Sequence, residues 1–257
     1  MTLAIISDVH ANIEALQSVL ADIDEQRADA VVCLGDAIGY GPNPEEALCI
    51  LRERGVVLLA GNHESALVRV KERRRFNPSA LAALDKTGSL LSAESVEFIK
   101  TLPLSIAAYG ILFVHGCPPD SAHTYLFQLS DKALAARFAE YDQDLCFVGH
   151  THELELITLV SELEAPMRSA EQRLTRDSLL PGSRVLDPLR RYIINVGSVG
   201  QPRDGDPRAK YALYSPDSRE LEVRCVAYDF KTTSAKIIAA GLPEQYARRL
   251  WGRTPTA

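Results

Sequence analysis

Leu3-Ala4-Ile5-Ile6-Ser7-Asp8-Val9-His10 decides how this chain is read. Its four apolar residues are a run of the length a buried strand needs, and they pass directly into a carboxylate and an imidazole two positions apart. On an extended backbone, residues i and i+2 point to the same side, so Asp8 and His10 are expected to face one point just past the strand end. A carboxylate oxygen and an imidazole nitrogen aimed at one point suit a divalent transition metal. Asp-x-His is too common a pattern to establish that alone. The remaining ligands have to come from elsewhere in the chain.

Working outward, Asn12 is placed to cap a helix whose apolar face is Ile13, Leu16, Val19, Leu20 and Ile23. Ala30 to Leu34 reads as a second buried strand, ending in Gly35-Asp36. A helix follows from Pro44 to about Arg54, with the proline in its first turn, then a strand from Val56 to Ala60 ending in Gly61-Asn62-His63-Glu64. Strands alternating with helices predict a parallel arrangement with right-handed crossovers. Sheets of that kind gather ligands at the carboxyl ends of their strands.

The region from about Ser65 to Lys100 is helical in pattern and broken at Pro78. Leu104–Ala108 and Ile111–Val114 form an expected hairpin around Tyr109-Gly110, the second strand running into His115-Gly116. Leu129 to Glu140 is a helix by pattern, and Leu145 to Val148 a strand leading into Gly149-His150-Thr151-His152. The stretch from Val160 to Arg191 is charged, weakly periodic and interrupted by Pro166, Pro181 and Pro188, which predicts an excursion off the core, partly helical. Tyr192–Val196, Lys210–Ser215 and Leu221–Tyr228 are expected strands, antiparallel in part. Lys231–Ala240 and Pro243–Trp251 are expected closing helices. With no repeat and no linker composition, one domain over 1–257 is expected, with the excursion at 160–191.

A formal net charge of −6 argues against a protein that coats nucleic acid, and leaves phosphate recognition to a local site. The five cysteines are odd in number and scattered, which fits reduced thiols in the cytoplasm rather than a disulfide framework. The first apolar stretch meets Asp8 too early for a secretion signal, and no run approaches transmembrane length. The expected location is cytoplasmic, without a membrane partner.

Five of the six histidines fall in the motifs at strand ends, and only His123 lies outside them. Histidines used for packing would be spread more evenly. The order Asp8-x-His10, Gly35-Asp36, Gly61-Asn62-His63-Glu64, His115-Gly116 and Gly149-His150-x-His152 resembles the calcineurin-like metallophosphoesterase superfamily, in particular its small bacterial predicted phosphodiesterase branch. The segment from Ile194 to Arg203 is similar to that branch's loop after the last motif, and the resemblance spans about residues 3 to 215.

The resemblance implies an α/β fold, an αββα sandwich of two mixed β-sheets flanked by helices. It also implies two divalent metal ions, one held by Asp8, His10, Asp36 and His152, the other by Asp36, Asn62, His115 and His150, with Asp36 bridging. Two metals about 3.5–4 Å apart lower the pKa of a shared water and stabilise the attacking and leaving oxygens of an in-line displacement at phosphorus. Carboxylate, amide and imidazole donors without thiolate suit manganese first, with iron, zinc, nickel or cobalt also accommodated. Asp36 and His63 are the implied catalytic residues, His63 protonating the leaving oxygen or holding the phosphate. Asn12, Arg203, His123 and Tyr40 are candidate substrate-binding residues.

Protein-phosphatase members of the superfamily carry Asp-Arg after the second motif, where this chain has Gly39-Tyr40, and Val196 stands where proline is usual. The first departure favours a phosphodiester or nucleotide-type phosphoanhydride, a small phosphorylated substrate, over a phosphoprotein. The rival readings are a phosphomonoesterase or protein phosphatase, and a scaffold that kept the fold and lost catalysis. A nuclease is disfavoured by the acidic charge and by the lack of a basic, aromatic stripe. The run Lys71 to Arg75 reads as a solvated helix face.

Overall fold

Every residue of β1 (Leu3–Ile6) is buried, because the strand lies inside a sheet that is covered on both faces. The computed structural model describes residues 1–252 and continues with α1 (Ile13–Gln26), β2 (Ala30–Cys33), α2 (Pro44–Glu53), β3 (Val57–Leu58) and α3 (Asn62–Val68). Next come α4 (Pro78–Gly88), α5 (Ala93–Thr101), β4 (Ser105–Ala108), β5 (Ile111–Val114), α6 (Asp131–Arg137), β6 (Leu145–Val148) and β7 (Leu154–Leu159). The described order closes with β8 (Leu174–Ser178), β9 (Gly182–Val185), β10 (Arg191–Val196), β11 (Ala209–Ser215), β12 (Glu220–Val226), α7 (Phe230–Ala239) and α8 (Glu244–Arg249).

Two six-stranded sheets result, in the orders β3-β2-β1-β11-β12-β9 and β4-β5-β6-β10-β7-β8. Both are mixed: β1, β2 and β3 run parallel, as do β5, β6 and β10, while all the remaining neighbouring pairs are antiparallel. The two-residue period of a strand sorts the side chains. Leu3 and Ile5 point between the sheets with Val32, Phe113, Phe147 and Ile194, whereas Ala4 and Ile6 point outward under α1 and α2. On the far face, Leu112, Val114, Cys146 and Ile193 pack against Leu134 and Phe138 beside α6. The layers are helix, sheet, sheet, helix, the expected sandwich.

Several local expectations hold for identifiable reasons. Asn12 caps α1, its side chain accepting from the Ala15 N–H at 3.1 Å. Tyr109 and Gly110 both adopt left-handed φ, of 56° and 73°, which is the hairpin turn that matches the twist of its strands. Pro78 does not break a helix but begins one, at the first position of α4 after the capping Asn77.

The stretch at 160–191 is not a helical excursion. It contains one short 3-10 turn (Glu171–Arg173) and two strands, β8 pairing with β7 at the edge of one sheet and β9 pairing with β12 at the edge of the other. Its periodicity is weak because these edge strands are largely exposed. Its prolines lie outside the strands, where no ladder hydrogen bond is lost. Among the described residues, no helix is long and apolar enough to cross a membrane.

Candidate metal centre

The extended geometry expected for Asp8 and His10 is not what brings them together. β1 ends at Ile6, and the chain then turns through left-handed residues, Asp8 at φ 55°, His10 at φ 49° and Ala11 at φ 53°. The turns are held because the N–H groups of Asp8, His10 and Ala11 donate to the carbonyls of Gly35, Asp36 and Ala37 at 3.0, 2.9 and 2.8 Å. The loop after β1 therefore lies alongside the loop after β2. Asp36, His150 and His152 are left-handed as well, at φ 52°, 67° and 63°. Non-glycine residues enter this region at a cost of about 1–3 kcal/mol each, and they concentrate at functional sites.

Those turns converge a buried set of donors. His152 Nε2 stands 3.2 Å from Asp8 Oδ1 and 3.1 Å from His10 Nε2. His115 Nε2 is 3.2 Å from Asp36 Oδ2 and 3.2 Å from Asn62 Oδ1. Asp36 Oδ2 is also 3.8 Å from His10 Nε2 and 4.0 Å from His63 Nε2. Three groupings, Asp8-His10-His152, His10-Asp36-His63 and Asp36-His115-His150, keep their ligand atoms within 4.8 Å of one another and so could each hold a metal ion.

The outward ring nitrogens decide what the inward ones are. His10 Nδ1 donates to Ile38 O at 3.0 Å, His152 Nδ1 to Gln201 O at 2.6 Å, and His150 Nε2 to His123 O at 3.2 Å. A carbonyl only accepts, so each of these nitrogens carries the proton and the other presents a lone pair. His10 Nε2 and His152 Nε2 thus face each other without a hydrogen between them, beside Asp8 Oδ1, which has no hydrogen-bond partner. Converging lone pairs in a dry interior repel. A cation among them removes the repulsion, and the donor set fits one.

Charge agrees with this. Burial and the neighbouring His152 hold His10 well below the ordinary imidazole range, and burial with the charge of His115 brings His150 down to about 3. Burial pushes the Asp8 and Asp36 carboxyls up, but the surrounding imidazoles outweigh it and keep both ionised. His115 goes the other way: burial opposes its charge, yet Asp36 beside it raises it to about 9. Metal loading is therefore expected to stabilise the fold, by about 2.7 kcal/mol at a hundredfold excess over Kd, read as a rise in Tm that a chelator reverses.

Glu64 is a structural partner of Asp36 that motif spacing does not reveal. Its Oε2 accepts from the N–H groups of Asp36 and Gly61 at 2.9 and 2.8 Å, and its Oε1 from Ile38 at 3.1 Å. It binds the loop after β2 to the start of α3. Gly61 has to be glycine here, since a Cβ would lie 2.1 Å from Asp36 Oδ1. Glu64→Gln turns one acceptor into a donor facing an N–H, and is expected to destabilise the protein by about 1–3 kcal/mol in chemical denaturation.

His63 is 1% exposed, and burial above all lowers it to about 4. Its Nδ1 has no hydrogen-bond partner, and the neighbouring Gly39-Tyr40 offers it no carboxylate. Gly39 makes room instead, because a Cβ there would meet His63 Nδ1 at 2.0 Å. Aromatic edges hold the ring, Tyr40 at 4.5 Å and Phe76 at 4.9 Å between centroids.

Of the candidate substrate-binding residues, Tyr40 lies against His10 and His63 and lines both pockets that open beside the cluster, of about 420 and 230 Å³. Arg203 lines the larger and His123 the smaller, where His123 Nε2 also pairs with Glu72 at 2.9 Å. Asn12 is different. Its oxygen accepts from Ala15 and Thr233 and its nitrogen donates to Gly200 O, so its amide holds the fold together rather than facing a phosphate.

Two further residues belong to the site. Tyr125 stacks on His150 at 3.8 Å between centroids and also on Phe127 at 4.9 Å, and nothing in the sequence marks it. Asn195 donates to Gly149 O and Thr151 Oγ1 at 2.7 and 2.8 Å, fixing the loop that carries His150 and His152. Its signal is an amide set directly after the run Tyr192-Ile193-Ile194 and before Val196.

Residues 1–219 match the sequence model of the calcineurin-like phosphoesterase superfamily domain. An uncharacterized protein of Methanocaldococcus jannaschii is 32% identical over 253 residues, covering 97% of each chain. A metallophosphoesterase from Sphaerobacter thermophilus superposes with a TM-score of 0.82 at 38% identity over 98% of each chain. A hypothetical protein from Pyrococcus horikoshii shares the fold, with a TM-score of 0.74 at 19% identity over 98% of each chain.

Proposed function

Because the chain belongs to the calcineurin-like phosphoesterase superfamily, we propose that it hydrolyses a phosphodiester or nucleotide-type phosphoanhydride at a pair of divalent metal ions, manganese first. The observation that carries this reading is the pair of facing imidazole lone pairs beside an unpartnered Asp8 oxygen, an arrangement made tolerable by a cation. Asp8, His10, Asp36 and His152 would hold one ion, and Asp36, Asn62, His115 and His150 the other. When bound, such a pair supplies Lewis acidity and a strong nucleophile at neutral pH.

The chain's own residues do the rest. The carbonyls of Ile38, Gln201 and His123 fix the three imidazoles in the tautomers that ligate. His63 turns its Nε2 toward Asp36, 4.0 Å from Oδ2, while its Nδ1 is unpartnered. From there Nε2, once the ring is protonated, would hydrogen-bond the departing oxygen and hand it that proton as charge builds on it, leaving a neutral imidazole. Tyr40 and Arg203 line the space for the substrate, and the burial of the donor cluster keeps bulk water from competing.

The complete set of ligating side chains and His63 support an enzyme over a scaffold, and Gly39-Tyr40 supports a diester over a phosphoprotein. The five unpaired cysteines support a cytoplasmic location, and the apolar core shared by the two sheets supports one domain. Turnover of bis- and mono-p-nitrophenyl phosphate with added Mn²⁺ tests the proposal, the diester being expected to react faster. No hydrolysis of either with any of the five metals would overturn it.

A further inference from the structure

The larger pocket is walled in part by residues beyond the family match, which ends at residue 219. Gln245, Tyr246, Arg249 and Gly252 come from α8 and the chain just after it, and they face Tyr40, Tyr125 and Arg203 across a space of about 420 Å³. Two guanidinium groups line this pocket and no carboxylate does. Arg203 has its Nε buried without a hydrogen-bond partner. Arg248 next along α8 is paired with Glu244, but Arg249 lies over the Tyr246 ring at 5.5 Å and among the described residues has no carboxylate partner. The smaller pocket, on the other side of Tyr40, Asn77 and Tyr125, reaches the ligand residues Asn62 and His150. The cluster is thus flanked by two spaces: the smaller is also lined by Arg75, which is paired with Glu72 at 3.1 Å, whereas the larger carries two guanidinium groups with no carboxylate partner among the described residues.

We infer that the C-terminal pocket receives a second phosphoryl group of the substrate, gripped by Arg203 and Arg249, so that the preferred substrate is a diphosphate diester rather than a cyclic or simple diester. This rests on the phosphoesterase reading of the adjoining metal centre. In the reaction, water adds to one phosphorus and the bond from that phosphorus to the bridging oxygen breaks. The second phosphoryl leaves with the bridging oxygen, and the products are two phosphomonoesters, with two protons released to solvent as both become dianions. The second phosphoryl gains charge as the bond breaks, where paired guanidinium groups favour it most. Pocket shape alone offers no such preference to a neutral arm.

The test compares kcat/KM for ADP-ribose, a diphosphate diester, with kcat/KM for bis-p-nitrophenyl phosphate in the Mn²⁺-loaded protein and in Arg249→Ala and Arg249→Lys. Arg249 is exposed, so neither change threatens folding. The ratio of the two values is expected to fall about tenfold in Arg249→Ala, as one charge-assisted hydrogen bond is lost, and to recover in part in Arg249→Lys. A ratio that stays fixed, even if both rates drop, overturns the inference and leaves α8 a merely structural wall. If neither compound is hydrolysed, it is the phosphoesterase reading that has failed, and the pocket is tested by titrating inorganic pyrophosphate and orthophosphate into the same proteins. Tighter binding of pyrophosphate that is lost in Arg249→Ala upholds the pocket, and equal binding in both proteins overturns it.

Discussion

Asp36→Asn is expected to lose specific metal uptake and to hydrolyse bis-p-nitrophenyl phosphate about a thousandfold more slowly, or worse. The residue is 1% exposed, and its two oxygens are divided between tasks. Oδ1 accepts from the His63 N–H at 2.9 Å, while Oδ2 faces His115, His10 and His63 at 3.2, 3.8 and 4.0 Å. Asparagine keeps the volume and one acceptor, so the fold is retained, but it carries no charge and cannot offer an anionic oxygen to each of two ions. Metal-derived charge stabilisation is worth several kcal/mol, and about 4 kcal/mol corresponds to the thousandfold. Elemental analysis of wild-type and variant protein, reloaded with each cation, reads the first part directly. Undiminished uptake in Asp36→Asn would remove the bridging role from the proposal.

His63→Gln separates chemistry from metal binding. His63 is not in the proposed ligand set, so metal content is expected to stay near the wild-type value while kcat falls by about 10²–10⁴, the range for losing a positioned proton donor. The loss is expected to depend on the leaving group. Nitrophenolate departs readily without a proton, whereas an alkyl alcohol does not. A methyl p-nitrophenyl diester and a dialkyl diester, compared in the two proteins, should therefore show the larger drop for the dialkyl compound. Equal drops for both would mean that His63 holds the phosphate and moves no proton. Loss of metal together with activity would place it among the ligands, which the His10-Asp36-His63 grouping makes a real alternative outcome.

Much of this site was legible in the chain because donors follow apolar runs at strand ends. The motifs at 8–10, 35–36, 61–64, 115–116 and 149–152 all come together, although Asp8 and His10 meet through left-handed turns and not through strand alternation. Backbone hydrogen bonds to the neighbouring loop cause that turn, and those partners are far away in sequence. β1 and β5 are readable as short unbroken apolar runs because they are buried on both faces, and α1 because one of its faces is buried at helical spacing. β7 and the strands within 160–191 lie toward the rim of each sheet, and β8 and β9 at the rim show almost no alternation. Tyr125 reaches His150 by a loop, and a loop aromatic carries no period at all.

The left-handed turns at Asp8, Asp36, His10, His150 and His152 also bear on how such a centre can change. Asp, Asn and His tolerate that backbone better than other side chains, so the residue types the metal wants are also those the chain can accommodate. A cysteine or glutamate introduced to alter metal preference must satisfy both demands at once. Single donor swaps are then poor starting points for redesign, and the carbonyls behind the rings offer a gentler dial.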